Sequence, residues 1–342
     1  MSIEEKTPGE ERLAVRVDVH QHLWTEGFIA ALRGRATAPR LVGDGWTLVL
    51  DGEPDYRVDP RDHDPALRLG INRVDQLDLA LISLSSPLGI EHLPAAEAAP
   101  LLEAYHRGAL ALPAGFGAWA AACVTDPDPA DLTHWLDAGC VGLQLPATAL
   151  ANAAGYARCE PLLRVLQERD KPLFVHAGRA ASPGAPPWWA ANVDYVQQMH
   201  GAYYAFAAFG RPAHPTLKVC FAMLSGLAPL HRERAAARGG PDLAADSGVW
   251  FETSSYGPVA VAALGSALDS AGGGDTSLEA GFGHRQTKHA KAASAARARI
   301  VLGSDRPYAP PAILPDPAAA HAAAAELLGA CAVTRQTVTD AS

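Results

Sequence analysis

Val15-Arg16-Val17-Asp18-Val19-His20-Gln21-His22 is the stretch whose reading decides the fold. Valines at 15, 17 and 19 favour a strand, and along a strand positions i and i+2 share a face about 6.5 to 7 Å apart. The segment therefore puts two imidazoles on one side of a strand's C-terminal end, the end at which α/β barrels carry their chemistry. By the same parity Asp18 points inward one layer deeper, as a residue that orients a ligand histidine.

Working outward, short apolar runs recur at intervals that suit strand-helix repeats. They are Leu79 to Ser85, Phe116 to Val124, Val141 to Leu145, Pro172 to His176, Leu217 to Ala222, Val249 to Thr253 and Arg299 to Gly303. With the first strand they make eight. Helices are expected between most of them, over Ala66 to Leu77, Ala130 to Asp137, Cys159 to Arg169, Tyr195 to Phe209 and Pro258 to Asp269. Eight alternating units without a Gly-x-Gly-x-x-Gly turn favour a distorted (β/α)8 TIM barrel over an open dinucleotide-binding sheet.

Three segments fit the repeat poorly. Arg33 to Asp64, rich in Gly, Pro and Asp, is expected to lie over the mouth as a lid. Ala271 to His289, with two glycine clusters, reads as an insertion before the last strand, and Ala318 to Leu328 as a helix on the barrel's outside. The domain reading is a tail over 1–12, one barrel over 13–330 and a tail over 331–342.

Composition narrows the function classes. The chain has 342 residues, 49% hydrophobic and 19% charged, with a net charge of −9. It has no Lys/Arg stripe, which argues against a nucleic-acid partner. Met1 to Arg12 lacks the apolar run of a secretory signal, and Gly108 to Thr125, a long stretch without a charge, is broken by Pro113 and three glycines. No membrane span is expected. The five cysteines are scattered without a Cys-x-x-Cys pair, which argues against a zinc knot or a disulfide framework and fits a cytoplasmic location.

Two further strand ends carry chemistry. Lys171-Pro172-Leu173-Phe174-Val175-His176 closes an apolar run on a histidine, and Gly303-Ser304-Asp305-Arg306-Pro307 puts a carboxylate past the last strand. In a barrel, His20, His22, His176 and Asp305 converge on one rim. That set suits a mononuclear first-row metal site, with a position left for water or substrate. Around it, Trp24, which follows the His pair by two and so shares its face by strand parity, Trp188 and Arg179 are candidate contacts for an aromatic or apolar acid, Arg179 because its planar fork matches a carboxylate.

The strand ends quoted above, together with Phe251-Glu252-Thr253-Ser254-Ser255-Tyr256-Gly257 and Gly303-Ser304-Asp305-Arg306-Pro307-Tyr308, resemble the amidohydrolase superfamily. Within it they are most similar to the branch that includes aminocarboxymuconate-semialdehyde decarboxylase. The resemblance implies a metal-dependent hydrolase or carboxy-lyase acting on a small carboxylated cyclic or aromatic compound. By the resemblance, one divalent ion, zinc ahead of manganese, falls to His20, His22, His176 and Asp305, with Asp305 catalytic through metal-bound water or substrate, and Met223 and Tyr308 join the candidate substrate contacts. A homodimer enters only through the resemblance.

One position departs from the pattern. Relatives carry a histidine after the sixth strand, where this chain has Met223. A thioether donates no proton at neutral pH and is a poor ligand for a hard ion. Either another group takes over (His200, His231, Arg179 and Tyr308 are candidates), or Asp305 suffices, or the chain binds metal or ligand without catalysis. A metal-free lactonase of the same barrel is a further alternative.

Overall fold

The computed structural model describes residues 15–51, 53–180, 182–271, 299–310 and 313–329. Eight parallel strands follow one another: β1 (Val17–Gln21), β2 (Leu79–Ile82), β3 (Phe116–Ala118, resumed after Trp119 as Ala120–Ala121), β4 (Leu143–Pro146), β5 (Leu173–His176), β6 (Val219–Phe221), β7 (Val249–Glu252) and β8 (Ile300–Val301). The break in β3 lets its first half pair with β2 and its second with β4.

The circle closes between the first and last strands. Val19 N donates to the Leu302 carbonyl at 2.9 Å, Asp305 N to that of His20 at 2.9 Å, and His22 N to that of Arg306 at 2.7 Å. A parallel bridge joins Gln21 to Arg306. The sheet therefore has no free edge, and the expected (β/α)8 barrel is what forms. Its distortion lies at the seam, where the regular ladder of β8 is two residues long and irregular hydrogen bonds complete the join.

A second irregularity sits in β1. Asp18 pairs with Ala80 but Gln21 with Ile82, so three residues of β1 oppose two of β2, which is a β-bulge. The bulge lets Asp18 and Gln21 meet although strict alternation would put them on opposite faces. Gln21 Nε2 donates to Asp18 Oδ2 at 2.8 Å.

Most expected helices form within a few residues of their sequence limits, and local chemistry explains their starts. Helix Pro65–Val74 begins after Asp64, whose carboxylate accepts from the amides of Ala66 and Leu67, and Pro129–Asp137 begins after Asp128 in the same way. Both carry proline in the first turn, where no amide hydrogen is needed. The helix expected from Cys159 starts earlier and runs Ala153–Glu168, capped by Asn152, with Pro161 tolerated inside it. The segment expected over Tyr195 to Phe209 is α-helical as Tyr195–Ala205 and then widens into a π turn, Phe206–Gly210. Pro258–Ala271 and Pro317–Leu328 match expectation, and the latter ties back to β1 through Val17 N donating to His321 Nδ1 at 3.1 Å. Among the described residues, Glu26–Arg33 and Ala95–Leu110 were not foreseen, nor were the short helices Arg211–Ala213 and Arg232–Ala236.

The Arg33 to Asp64 excursion folds into a three-stranded antiparallel sheet (Arg40–Val42, Thr47–Val49, Tyr56–Arg57) and a 3₁₀ turn, Pro60–His63. It does lie against the mouth. The Tyr56 ring is 6.4 Å from that of Tyr308, and His63 stacks on Trp24 at 4.7 Å. The expected insertion over 271–289, apart from its first residue, and both expected tails lie outside the described residues.

Candidate metal centre

β1 delivers His20 and, just past its end, His22; β5 ends on His176; the segment after β8 supplies Asp305. Each offers a donor atom within 4.8 Å of the others. Nε2 of His20 and Nε2 of His22 are 3.0 Å apart, and Asp305 Oδ1 is 3.0 Å from His22 Nε2 and 3.4 Å from His20 Nε2.

The opposite ring nitrogens set this orientation. His22 Nδ1 lies 3.0 Å from the Ser83 carbonyl and His176 Nδ1 2.6 Å from that of Ala177, so each donates its proton outward. His20 Nδ1 faces Glu252 Oε2 at 3.3 Å. The two rings held by hydrogen bonds, His22 and His176, turn bare Nε2 lone pairs toward the point that His20 Nε2 also faces, where they repel unless a cation lies between them.

Burial favours the neutral, ligating form at His20 and His176. The histidines are buried and only the Asp305 side chain, 17% exposed, reaches solvent appreciably. Burial first, with neighbouring imidazoles adding, pushes His20 down to about 4 and His176 to about 3. Burial acts to raise the Asp305 carboxyl, but His20, His22 and His176 together hold it below its ordinary value. Three buried imidazoles and one carboxylate make a donor set that fits a single divalent ion.

Glu252 is a part of this centre that the sequence reading passed over. It ends β7, the same strand-end signal that singled out His176. It is fully buried, accepts from Ser254 N at 2.6 Å, Ser254 Oγ at 2.7 Å and Met223 N at 3.2 Å, and backs His20. Burial raises its carboxyl to about 8. Gly303 leaves the room it needs, since a Cβ there would lie 1.9 Å from Glu252 Oε1. Asp18 ties the layer beneath, accepting from His20 N and Ser304 N, each at 3.1 Å. Arg68, also unforeseen, is buried and donates to the carbonyls of His22 and Asp62 at 3.2 and 2.6 Å, binding the lid to β1.

Met223 opens a left-handed turn. Its φ is +54°, and Leu224, Ser225, Gly226 and Leu227 follow at +46°, +56°, +58° and +61°. Four of these five residues are not glycine, and L-residues in this region cost roughly 1–2 kcal/mol each. Gly226 is required by space as well, because a Cβ there would sit 2.6 Å from the Val196 carbonyl.

The remaining candidates divide. Tyr308 is beside the centre, its ring 5.4 Å from that of His22. Trp24 is buried, with Nε1 donating to Ser85 Oγ at 3.1 Å; β1 ends at Gln21, so strand parity does not extend to it. Arg179 Nη2 donates to the Asp51 carbonyl of the lid at 2.7 Å. Trp188 is 57% exposed and leans on Trp189. His200 and His231 face each other with ring centres 5.0 Å apart and are not among the four donors.

Past the end of β2, Glu91 is buried with Oε2 unpartnered, its other oxygen accepting from Ser86 Oγ. Burial raises its carboxyl from 4.5 to about 7. A raised folded value favours the protonated form, so this contribution to stability is complete below about pH 4.5 and is lost as pH climbs through 7. At pH 8, Glu91→Gln should therefore be more stable than the parent by on the order of 3 kcal/mol, and this gain should shrink toward pH 5. Urea unfolding at the two pH values checks this; a variant-parent difference independent of pH would refute it.

No protein-family model matches the chain, and no curated protein does. Solved structures do. IDCase of Metarhizium anisopliae aligns with a TM-score of 0.65 at 15% identity, covering 95% of this chain and 97% of its own. A 5-carboxyvanillate decarboxylase of Novosphingobium aromaticivorans with bound manganese aligns at 0.61 and 16%, covering 97% and 96%. An amidohydrolase II aligns at 0.57 and 16%, covering 86% and 87%. At these identities the likeness is one of fold, and this chain has the (β/α)8 fold of amidohydrolase II and these decarboxylases.

Proposed function

We propose that this chain is a metal-dependent carboxy-lyase that removes CO2 from a small carboxylated, cyclic or aromatic compound. The observation that carries the reading is the convergence of three Nε2 atoms and Asp305 on one point, with at least two of the rings fixed by outward hydrogen bonds. Support comes from neighbours of the same fold that are decarboxylases, one with bound manganese. His20, His22, His176 and Asp305 would hold one divalent ion, manganese by that analogy, with zinc the alternative. When bound, the ion supplies Lewis acidity toward a substrate carboxylate and a neighbouring oxygen.

The chain's own groups do the rest. Asp305 is ionised at neutral pH and is the one donor with appreciable exposure, so it meets whatever enters. It accepts a proton from a substrate hydroxyl or water and returns it to the ring carbon. The carbon–carboxyl bond breaks, its electron pair stays on the ring, and that carbon takes the proton as CO2 leaves. Met223 can serve only as an apolar contact. Tyr308, partly exposed beside the centre, keeps its hydroxyl protonated and so offers a hydrogen bond rather than a proton. The hydrolytic, catalytically silent and metal-free lactonase readings gain no support from the comparisons.

The test is to strip the protein with chelator, reload it with manganese or zinc, and follow CO2 release from a panel of hydroxylated aromatic acids. Release that requires metal is expected. Turnover by the stripped protein, or hydrolysis of lactones or amides in place of CO2 release, would overturn the reading.

A further inference from the structure

His200 and His231, absent from the metal centre, line a separate surface cleft of about 270 Å³ with Tyr204, Arg234 and Arg238. Helix Tyr195–Ala205 brings His200 and Tyr204, four residues apart on one face, against the end of the turn that carries His231. The short helix Arg232–Ala236 and the residues after it supply the two arginines.

The charges do not balance. Arg232 is paired with Asp242 at 2.9 Å. Arg234 and Arg238 form no ion pair among the described residues; Arg238 Nη1 touches only the Arg234 carbonyl, at 3.3 Å. No carboxylate lines the cleft. The imidazoles meet edge to face at 85°, which leaves them room to donate N–H groups outward. Guanidinium forks match the oxygens of phosphate and carboxylate, and a cation finds no anionic ligand here.

We propose that this cleft is a second ligand site, distinct from the metal centre, that binds a small dianion through Arg234, Arg238 and the His200–His231 pair. Two unneutralised guanidinium groups set the charge, and the cleft's size limits the ligand to an organic phosphate or a dicarboxylate. The proposal is independent of the lyase reading, since it shares no residue with the four donors.

Titrating the full chain with inorganic phosphate and, separately, succinate while recording the His200 and His231 imidazole proton resonances tests it. Saturable shifts at both histidines are expected, with the tighter of the two probes naming the source of the dianion. Arg234→Gln and Arg238→Gln, both at exposed positions, should each weaken binding tenfold or more. The proposal fails if neither probe gives a saturable shift, if sodium chloride at matched ionic strength reproduces it, or if both variants bind as the parent does.

Discussion

Asp305→Asn should lower turnover by roughly 10²- to 10⁴-fold while leaving the fold intact, the range for removing a positioned acid/base group. The substitution is clean because Asp305 sits at φ +55°, a conformation that asparagine tolerates as well as aspartate does. Size and backbone are kept, so the change removes charge and proton capacity alone. The three imidazoles remain, and the variant should retain metal more weakly than the parent. Steady-state CO2 release and metal content on the same sample separate the two effects. Parental turnover in the variant would remove Asp305 from the chemistry and leave Tyr308 as the group to examine.

Gly303→Ala should be severely destabilising, on the order of 3 kcal/mol, and should weaken metal binding. The added Cβ would lie 1.9, 2.3 and 2.5 Å from Oε1, Cδ and Cγ of Glu252. That carboxylate is no free end able to swing aside, being held by Ser254 and Met223 inside the barrel. If Glu252 moves, His20 loses the group behind its Nδ1, a change that typically costs 10- to 100-fold in metal affinity. Glu252→Ala should reverse part of the stability loss in the double variant, because the clash disappears. Gly27→Ala is the control: nothing lies within 4 Å of its Cβ position, in a helix where alanine is the better residue. Thermal unfolding and metal titration report both; a Gly303→Ala protein as stable as Gly27→Ala would show that the glycine is not required.

The four donors were legible because each closes or follows an apolar run, and a barrel leaves the ends of such runs nowhere to go but one rim. Glu252 carries the same signal at the end of β7 and was passed over because a single carboxylate behind a ligand has no spacing pattern of its own. The bulge in β1 was invisible, since an extra residue in one strand shows only against its partner. Strand parity therefore failed to foresee the Asp18–Gln21 contact and overreached at Trp24. The lid was legible as an irregular excursion but its sheet was not, because strands of two or three residues hold no period. Helix Ala95–Leu110 was obscured by Pro100 and Gly108, which read as breaks until packing fills its buried face with Leu101, Leu102 and Tyr105. Arg179 illustrates a further limit: its partner Asp51 is 128 positions away, and local sequence holds no trace of that contact.

The seam between β1 and β8 places the centre late in the life of each molecule. Asp18 and Ser304, which hydrogen-bond beneath the donors, are 286 positions apart. During synthesis the first two histidines emerge near the start and wait for almost the whole chain before Asp305 exists. No partly made chain can assemble the full donor set, and closing so long a loop is among the slower events of folding. A chain that has gathered all four donors has thereby brought its first and last strands together, so occupancy of the centre records that the barrel has closed.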